Sequence, residues 1–274
     1  MARLYELLMI KMDKTEFITQ FDQLILNHET RKIYGEHEFF NVGYWLPETQ
    51  NQEEACFNLT EKLLEFIPEK TGKILDVGCG LGATTNYLLK YYSPADVVGI
   101  NISSQQLERC RVNAPNCNFM EMDAVQMKFE ENQFDQIICV EAALYFNTRE
   151  KFLKEAGRVL KPGGNLVLAD IISATTEYFG NLVITENTVK DIEAYQNLYQ
   201  KAGFDQVKLV EATEECWKTH FRHLKSWMES QFQAGEIDEE TCKFNVNAID
   251  NLLGVDSAAI TYVLVSANKS ANPV

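Results

Sequence analysis

The chain of 274 residues carries a formal net charge of −15 and 46% hydrophobic residues. That apolar content suffices for one generous α/β domain with additions. The acidic balance, with no long basic run to offset it, excludes a nucleic-acid backbone or an anionic membrane surface as partner and leaves a small, neutral or cationic substrate.

The apolar patch from Leu4 to Ile10 is interrupted by Glu6 and lacks a cleavage-site pattern, so neither a signal peptide nor a membrane span is expected. Met12-Asp13 is an alternative start for the ordered chain. Asp13-x-x-Glu16 has capping-box spacing, and Phe17, Phe21, Leu24 and His28 continue at helical intervals. Gly35 to Pro47 is an aromatic-rich loop whose Tyr44 and Trp45 serve either packing or the covering of a cofactor. Thr49 reads as the N-cap of a second helix, with Cys56, Leu59, Leu63 and Phe66 on one face until Pro68.

From Lys73 onward strands and helices alternate with short connections, which predicts a doubly wound parallel sheet. Strands are expected at 73–77, 96–100, 117–121, 135–140, 165–171, 205–212 and 259–267, with helices near 83–92, 104–113, 148–160 and 188–202. Glu214 to Gln233 and a following helix bearing Cys242, Val246, Ile249 and Leu253 are amphipathic, and form an insertion between the last two strands. The resulting division is an N-terminal helical segment with a cofactor-covering loop (1–72), a core (73–213), a helical lid (214–258) and a final strand with a frayed tail (259–274). The seven cysteines are odd in number and form no C-x-x-C, which predicts reduced thiols, a cytoplasmic setting and no metal framework.

The stretch Ile74 to Thr85, ILDVGCGLGATT, places a glycine-rich turn between a buried strand and a helix. Backbone N–H groups at such a helix start favour a nucleoside or another polar ligand. Gly78-x-Gly80-x-x-Ala83 also fits the dinucleotide fingerprint. Asp76 at the strand end turns the balance: with Gly78, Gly80 and Gly82 it resembles the D-x-G-x-G-x-G of class I S-adenosylmethionine (SAM) methyltransferases. Met122-Asp123-Ala124, Phe134-Asp135 and Arg158 to Gly164 match that family in the same order. Within it, GYW at 43–45, GINIS at 99–103, EAALYF at 141–146 and the late insertion resemble natural-product tailoring enzymes. The types in view are erythromycin- and rebeccamycin-type sugar O-methyltransferases, and microcystin-type enzymes of cyanobacterial peptide-polyketide pathways.

The resemblance implies a Rossmann-like seven-stranded sheet with an antiparallel last strand, and SAM as cofactor. It implies that Asp76, Gly78, Gly80 and Gly82 hold the methionine portion, that Asp123 accepts the adenine amino group and that the Ala124 backbone meets a ring nitrogen. Asn101 stands where the family normally has an acid for the ribose hydroxyls, and is either that contact or a turn residue. Tyr44 beside the sulfonium, Gln106 and Glu141 complete the implied cofactor contacts. Glu141, Tyr145 and His220 are the catalytic candidates. Tyr145 replaces the histidine expected of the related sugar enzymes, and a phenol of reference pKa about 10 is a poor base at neutral pH. His28, His37 and His223 are alternatives, and the His220/His223 pair lacks a third ligand, so no metal is expected. The function implied is methyl transfer to a hydroxyl of a small natural product. N- or C-methylation, a non-catalytic SAM-binding module and an NAD-dependent oxidoreductase are the alternatives, and the oligomeric state stays open.

Overall fold

The computed structural model describes residues 14–179, 182–255 and 259–271. The Leu4 to Ile10 patch, Met12-Asp13 and residues 272–274 of the tail lie outside them. Strand β1 (Ile74–Val77) is buried along its whole length at the centre of a seven-stranded sheet. It pairs in parallel with β2 (Val97–Asn101) and β4 (Phe134–Val140), and β3 (Asn118–Glu121) and β5 (Leu160–Ile172) extend the sheet outward. Strand β7 (Thr261–Lys269) runs antiparallel between β5 and β6 (Phe204–Glu211), giving the order β3-β2-β1-β4-β5-β7-β6.

Side-chain alternation along β1 divides the core in two. Ile74 packs on one face with Leu59 and Leu63 of a helix at Gln52–Leu64, whereas Leu75 and Val77 pack on the other with Phe152 and Tyr195. A central strand covered on both faces therefore reads as a continuous apolar run broken only by Asp76. The described helices, in chain order, are α1 (Lys14–Ile25), α2 (His28–Arg31), α3 (Gln52–Leu64), α4 (Ala83–Leu88), α5 (Ser104–Asn113), α6 (Arg149–Val159), α7 (Ile192–Lys201), α8 (Thr219–Gln233) and α9 (Glu239–Leu253).

Three of the boundaries that differ from the sequence expectation have a plain local cause. Strand β5 begins at Leu160, because Leu160 pairs with Phe134 before a register shift brings Asn165 opposite Gln136. Helix α4 stops at Leu88, where successive turns take over the hydrogen bonding of residues 89 to 92. The cap of α3 is Asn51, whose side chain accepts from the Glu54 N–H at 2.9 Å, while the Thr49 hydroxyl serves the preceding loop by accepting from the Leu46 N–H at 2.9 Å. Asn51→Ala should cost about 1 kcal/mol, seen as a lower urea midpoint at unchanged slope.

A buried ion pair ties the far end of β5 to α6. Arg149 Nε donates to Asp170 Oδ2 at 2.7 Å, and the Tyr195 hydroxyl donates to the same oxygen at 2.6 Å. The Asn187 amide donates to the carbonyls of Leu144 and Phe146 at 2.9 and 2.7 Å, which holds the turn Ala143–Tyr145 in place. Helices α8 and α9 pack on each other, and a π-helical turn at Thr213–Lys218 connects β6 to α8 and packs against β7.

Candidate active site

The chain leaves β1 through a turn held against the neighbouring strand, with the N–H groups of Gly78 and Cys79 both donating to the Ile100 carbonyl, at 2.9 and 3.1 Å. Gly78 has φ +74°, and a Cβ there would sit 2.5 Å from that of Ala142. Gly80 has φ +53°, but a Cβ added to it would meet only Ile25 Cδ1, at 3.8 Å, so that position borders open space. Asp76 is buried beneath the turn, and its carboxylate accepts the Thr85 hydroxyl at 2.6 Å. Burial pushes its pKa up to about 7, against the Thr85 hydrogen bond, which lowers it.

Two adjoining cavities open at this turn. The smaller, about 130 Å³, is lined by Asp76, Gly78, Gly80, Glu141 and Tyr145 and lies beneath Phe17, Phe21 and Ile25 of α1. The larger, about 550 Å³, runs past Gly78 and Asn101 to Asp123, Ala124 and Thr148. Phe17, Gly78, Asn101 and Tyr145 line both.

Helix α1 forms the cover, and it is tied down at two places. Buried Asp22 accepts from the Ser103 hydroxyl at 2.8 Å and from Gln106 Nε2 at 2.6 Å, at the N-terminus of α5 where a carboxylate is favoured. Lys14 pairs with Asp123 at 2.5 Å. These contacts also explain Asn101. Because Gln106 turns its Nε2 to Asp22, its Oε1 needs a donor, and Asn101 Nδ2 supplies one at 2.9 Å while Asn101 Oδ1 accepts the Ser103 N–H at 3.1 Å. A carboxylate at position 101 could accept but not donate.

Glu141 ends β4 in the left-handed region at φ +51°, a conformation that costs a side-chain-bearing residue roughly 1–2 kcal/mol. Such a conformation persists only where the surroundings hold it in place. Here the Val42 N–H and the Tyr262 hydroxyl donate to Oε1 at 3.0 and 2.7 Å, and Oε2 has no protein donor among the described residues. Burial pushes the pKa of Glu141 up to about 7, with the Tyr262 and Val42 bonds opposing the rise.

Tyr145 also faces the smaller cavity, packed against Phe17 and Phe21 at 5.9 and 5.4 Å between ring centroids. Burial and then the nearby Glu141 push its pKa further up, so even less of it is ionised at neutral pH than of a free tyrosine.

Several expected residues lie elsewhere. His220 lines neither cavity: it is buried with Nδ1 2.7 Å from Gln52 Oε1, and burial together with His223 pushes its pKa down to about 3. Tyr44 lines neither cavity, since its backbone is tied to the Ala55 carbonyl at 2.8 Å and Lys62 lies over its ring at 5.7 Å. A protein cation already occupies the ring face expected to meet the sulfonium, and Phe39 and Phe40 are the aromatics that this loop presents to the smaller cavity. The insertion expected as a lid contributes no residue to either cavity, because its amphipathic helices bury their apolar faces on each other. His28 contacts Glu29, His37 pairs with Glu53 at 2.9 Å, and His223 packs on Trp45. Asp22, Tyr262 and the Val42 N–H escaped the sequence reading, although the helix expected at 104–113 is α5, whose N-terminus Asp22 meets.

The donor set suits a cationic nucleoside ligand. Asp76 faces the smaller cavity with no cation paired to it among the described residues, the space over Gly80 is open, and an acid stands at the end of β3. No group of three or more His, Cys, Asp or Glu side chains suited to a metal occurs among the described residues, and none of their helices is long and apolar enough to cross a membrane. All seven cysteines are free thiols.

A family model described as a methyltransferase domain matches residues 75–168. The erythromycin 3''-O-methyltransferase of Saccharopolyspora erythraea is 37% identical over 269 residues, covering 85% of this chain and 84% of the relative. Among solved structures, a putative sarcosine dimethylglycine methyltransferase from Galdieria sulphuraria superimposes with a TM-score of 0.74 at 16% identity, over 93% of this chain and 99% of that one. A phosphoethanolamine N-methyltransferase of Haemonchus contortus in complex with S-adenosyl-L-methionine gives a TM-score of 0.72 at 18% identity, over 93% of this chain and 60% of that one. At these identities the two structural likenesses establish the fold.

Proposed function

We propose that this chain, which belongs to the SAM-dependent methyltransferases, methylates a hydroxyl of a small-molecule natural product in the cytoplasm. The observation that carries the hydroxyl reading is Glu141: a carboxylate beside the glycine turn, facing a cavity, with a pKa of about 7. Such a group can accept a hydroxyl proton at neutral pH, whereas Tyr145 and His220 cannot. The relative named for a 3''-O-methyl transfer supports the same reading.

When bound, SAM supplies a methyl group on a positively charged sulfur and leaves as the neutral thioether. The chain's own contribution is alignment and exclusion of water. Asp76 would take the ammonium end of the cofactor, Asn101 and Gln106 the ribose side, and Asp123 with Ala124 the base, once Lys14 yields Asp123. Phe17, Phe21 and Tyr145 keep the smaller cavity dry, and Glu141 receives the acceptor's proton as the methyl arrives.

The charge of Asp76 makes cofactor binding pH-dependent. A ligand that needs the carboxylate must displace a proton below pH 7, so affinity for SAM should fall about tenfold per pH unit below that point and level off above it. Calorimetry from pH 5.5 to 8.5 reads this, and Asp76→Asn should flatten the profile. The acceptor is tested with SAM carrying a deuterated methyl and a panel of hydroxylated macrolides and glycosides, read by fragmentation mass spectrometry. Label found on nitrogen or carbon, or on no member of the panel, overturns the hydroxyl reading.

A further inference from the structure

A line of buried hydrogen bonds runs from the insertion into the site. Gln52 is fully buried on α3, and its Nε2 donates to the Asn41 carbonyl at 2.9 Å. The amide oxygen of Gln52 therefore faces His220, and at 2.7 Å the His220 Nδ1 must carry the proton and donate to it. The carbonyl of Asn41 and the N–H of Val42 belong to one peptide group, and that N–H donates to Glu141 Oε1 at 3.0 Å. From imidazole to amide to peptide to carboxylate, every bond points the same way.

Hydrogen bonds aligned head to tail polarise one another, and the effect is larger where water is absent. His220, Gln52 and Asn41 are all buried. We propose that His220 is a positioning residue that acts through Gln52 and the Asn41–Val42 peptide to favour the carboxylate form of Glu141 and fix its orientation. The inference rests on the reading of Glu141 as the acceptor's proton acceptor.

No cation among the described residues does this instead. The titratable groups facing Glu141 are Tyr34, Cys56 on α3, Tyr145, Asp170 on β5, Cys216 in the π-helical turn and Tyr262 on β7. All are neutral or anionic, so only hydrogen bonds offset the burial of the charge. The neutral state of His220 is consistent with its being a fixed donor and not a titrating one.

The test is the carboxyl titration of Glu141 in the full chain, followed by ¹³C NMR on glutamate-labelled protein, with the signal assigned by its loss in Glu141→Gln. His220→Leu should raise the midpoint by about half a pH unit or more. His220→Asn, whose amide can donate from near the Nδ1 position, should return it toward the wild-type value. An unmoved midpoint in His220→Leu, or equal shifts in both variants, overturns the proposal. If His220→Leu fails to fold, the ring ¹⁵N spectrum of the wild-type protein decides: a proton on Nδ1 supports the chain of donors, and a proton on Nε2 breaks it. The titration needs no turnover, so it is separable from the base reading, which fails if Glu141→Gln leaves the methyl-transfer rate intact.

Discussion

Glu141→Gln is expected to lower the rate of methyl transfer by about 10²- to 10⁴-fold, the range a positioned general base contributes. The amide keeps the volume, and its oxygen can still accept from the Val42 N–H and the Tyr262 hydroxyl, so the site stays assembled. What it loses is the ability to take a proton. A single-turnover experiment, with cofactor bound before the acceptor is added, isolates that step from binding. Tyr145→Phe serves as the contrast: its hydroxyl is held in the neutral form by burial, so turnover should slow by less than about tenfold. A loss of under threefold in Glu141→Gln would mean that alignment alone drives the reaction and that no base is needed.

Gly80→Val should abolish cofactor binding, with affinity reduced on the order of 10³-fold or more. Two effects act together. The backbone there has φ +53°, which a β-branched residue adopts only at a cost of roughly 1–2 kcal/mol, and the side chain would fill space that a nucleoside ligand requires. Gly163→Val is the matched control, since φ is +78° and no atom lies within 4 Å, so strain is present without a ligand site. Calorimetry should find SAM binding lost only in the first variant, with comparable unfolding midpoints for both. Retention of affinity within tenfold in Gly80→Val would remove the glycine turn from the cofactor site.

The sequence was most informative where chemistry and chain neighbourhood coincide. Asp76, Gly78 and Gly80 lie within five consecutive positions, and backbone geometry alone puts them at one end of β1. Asp123 and Glu141 follow their own strands, so an alternating α/β reading delivered them to the same edge. What failed to show was pairing across long intervals. Tyr262 meets Glu141 across 121 positions and Val42 meets it across 99, and no local pattern marks either partner. The covering helix was legible as amphipathic, yet the site it covers depends on Asp22 reaching Ser103 and Gln106. An aromatic beside a glycine serves packing as readily as ligand contact, and Tyr44, with Lys62 over its ring, lines neither cavity.

The position of β7 in the sheet bears on how the protein is made. Among the described strands β6 pairs only with β7, and β7 is translated after the whole α8–α9 hairpin. On the ribosome, β6 therefore emerges with both edges bare and waits for the hairpin to be synthesised before it can join the sheet. Tyr262 arrives with the same strand, so Glu141 gains that anchor at the same late moment. A nascent chain holding β1 to β5 can display the glycine turn before Glu141 has its bond from Tyr262. The interval in which β6 lies open is the one in which the nascent chain most needs shielding from its neighbours.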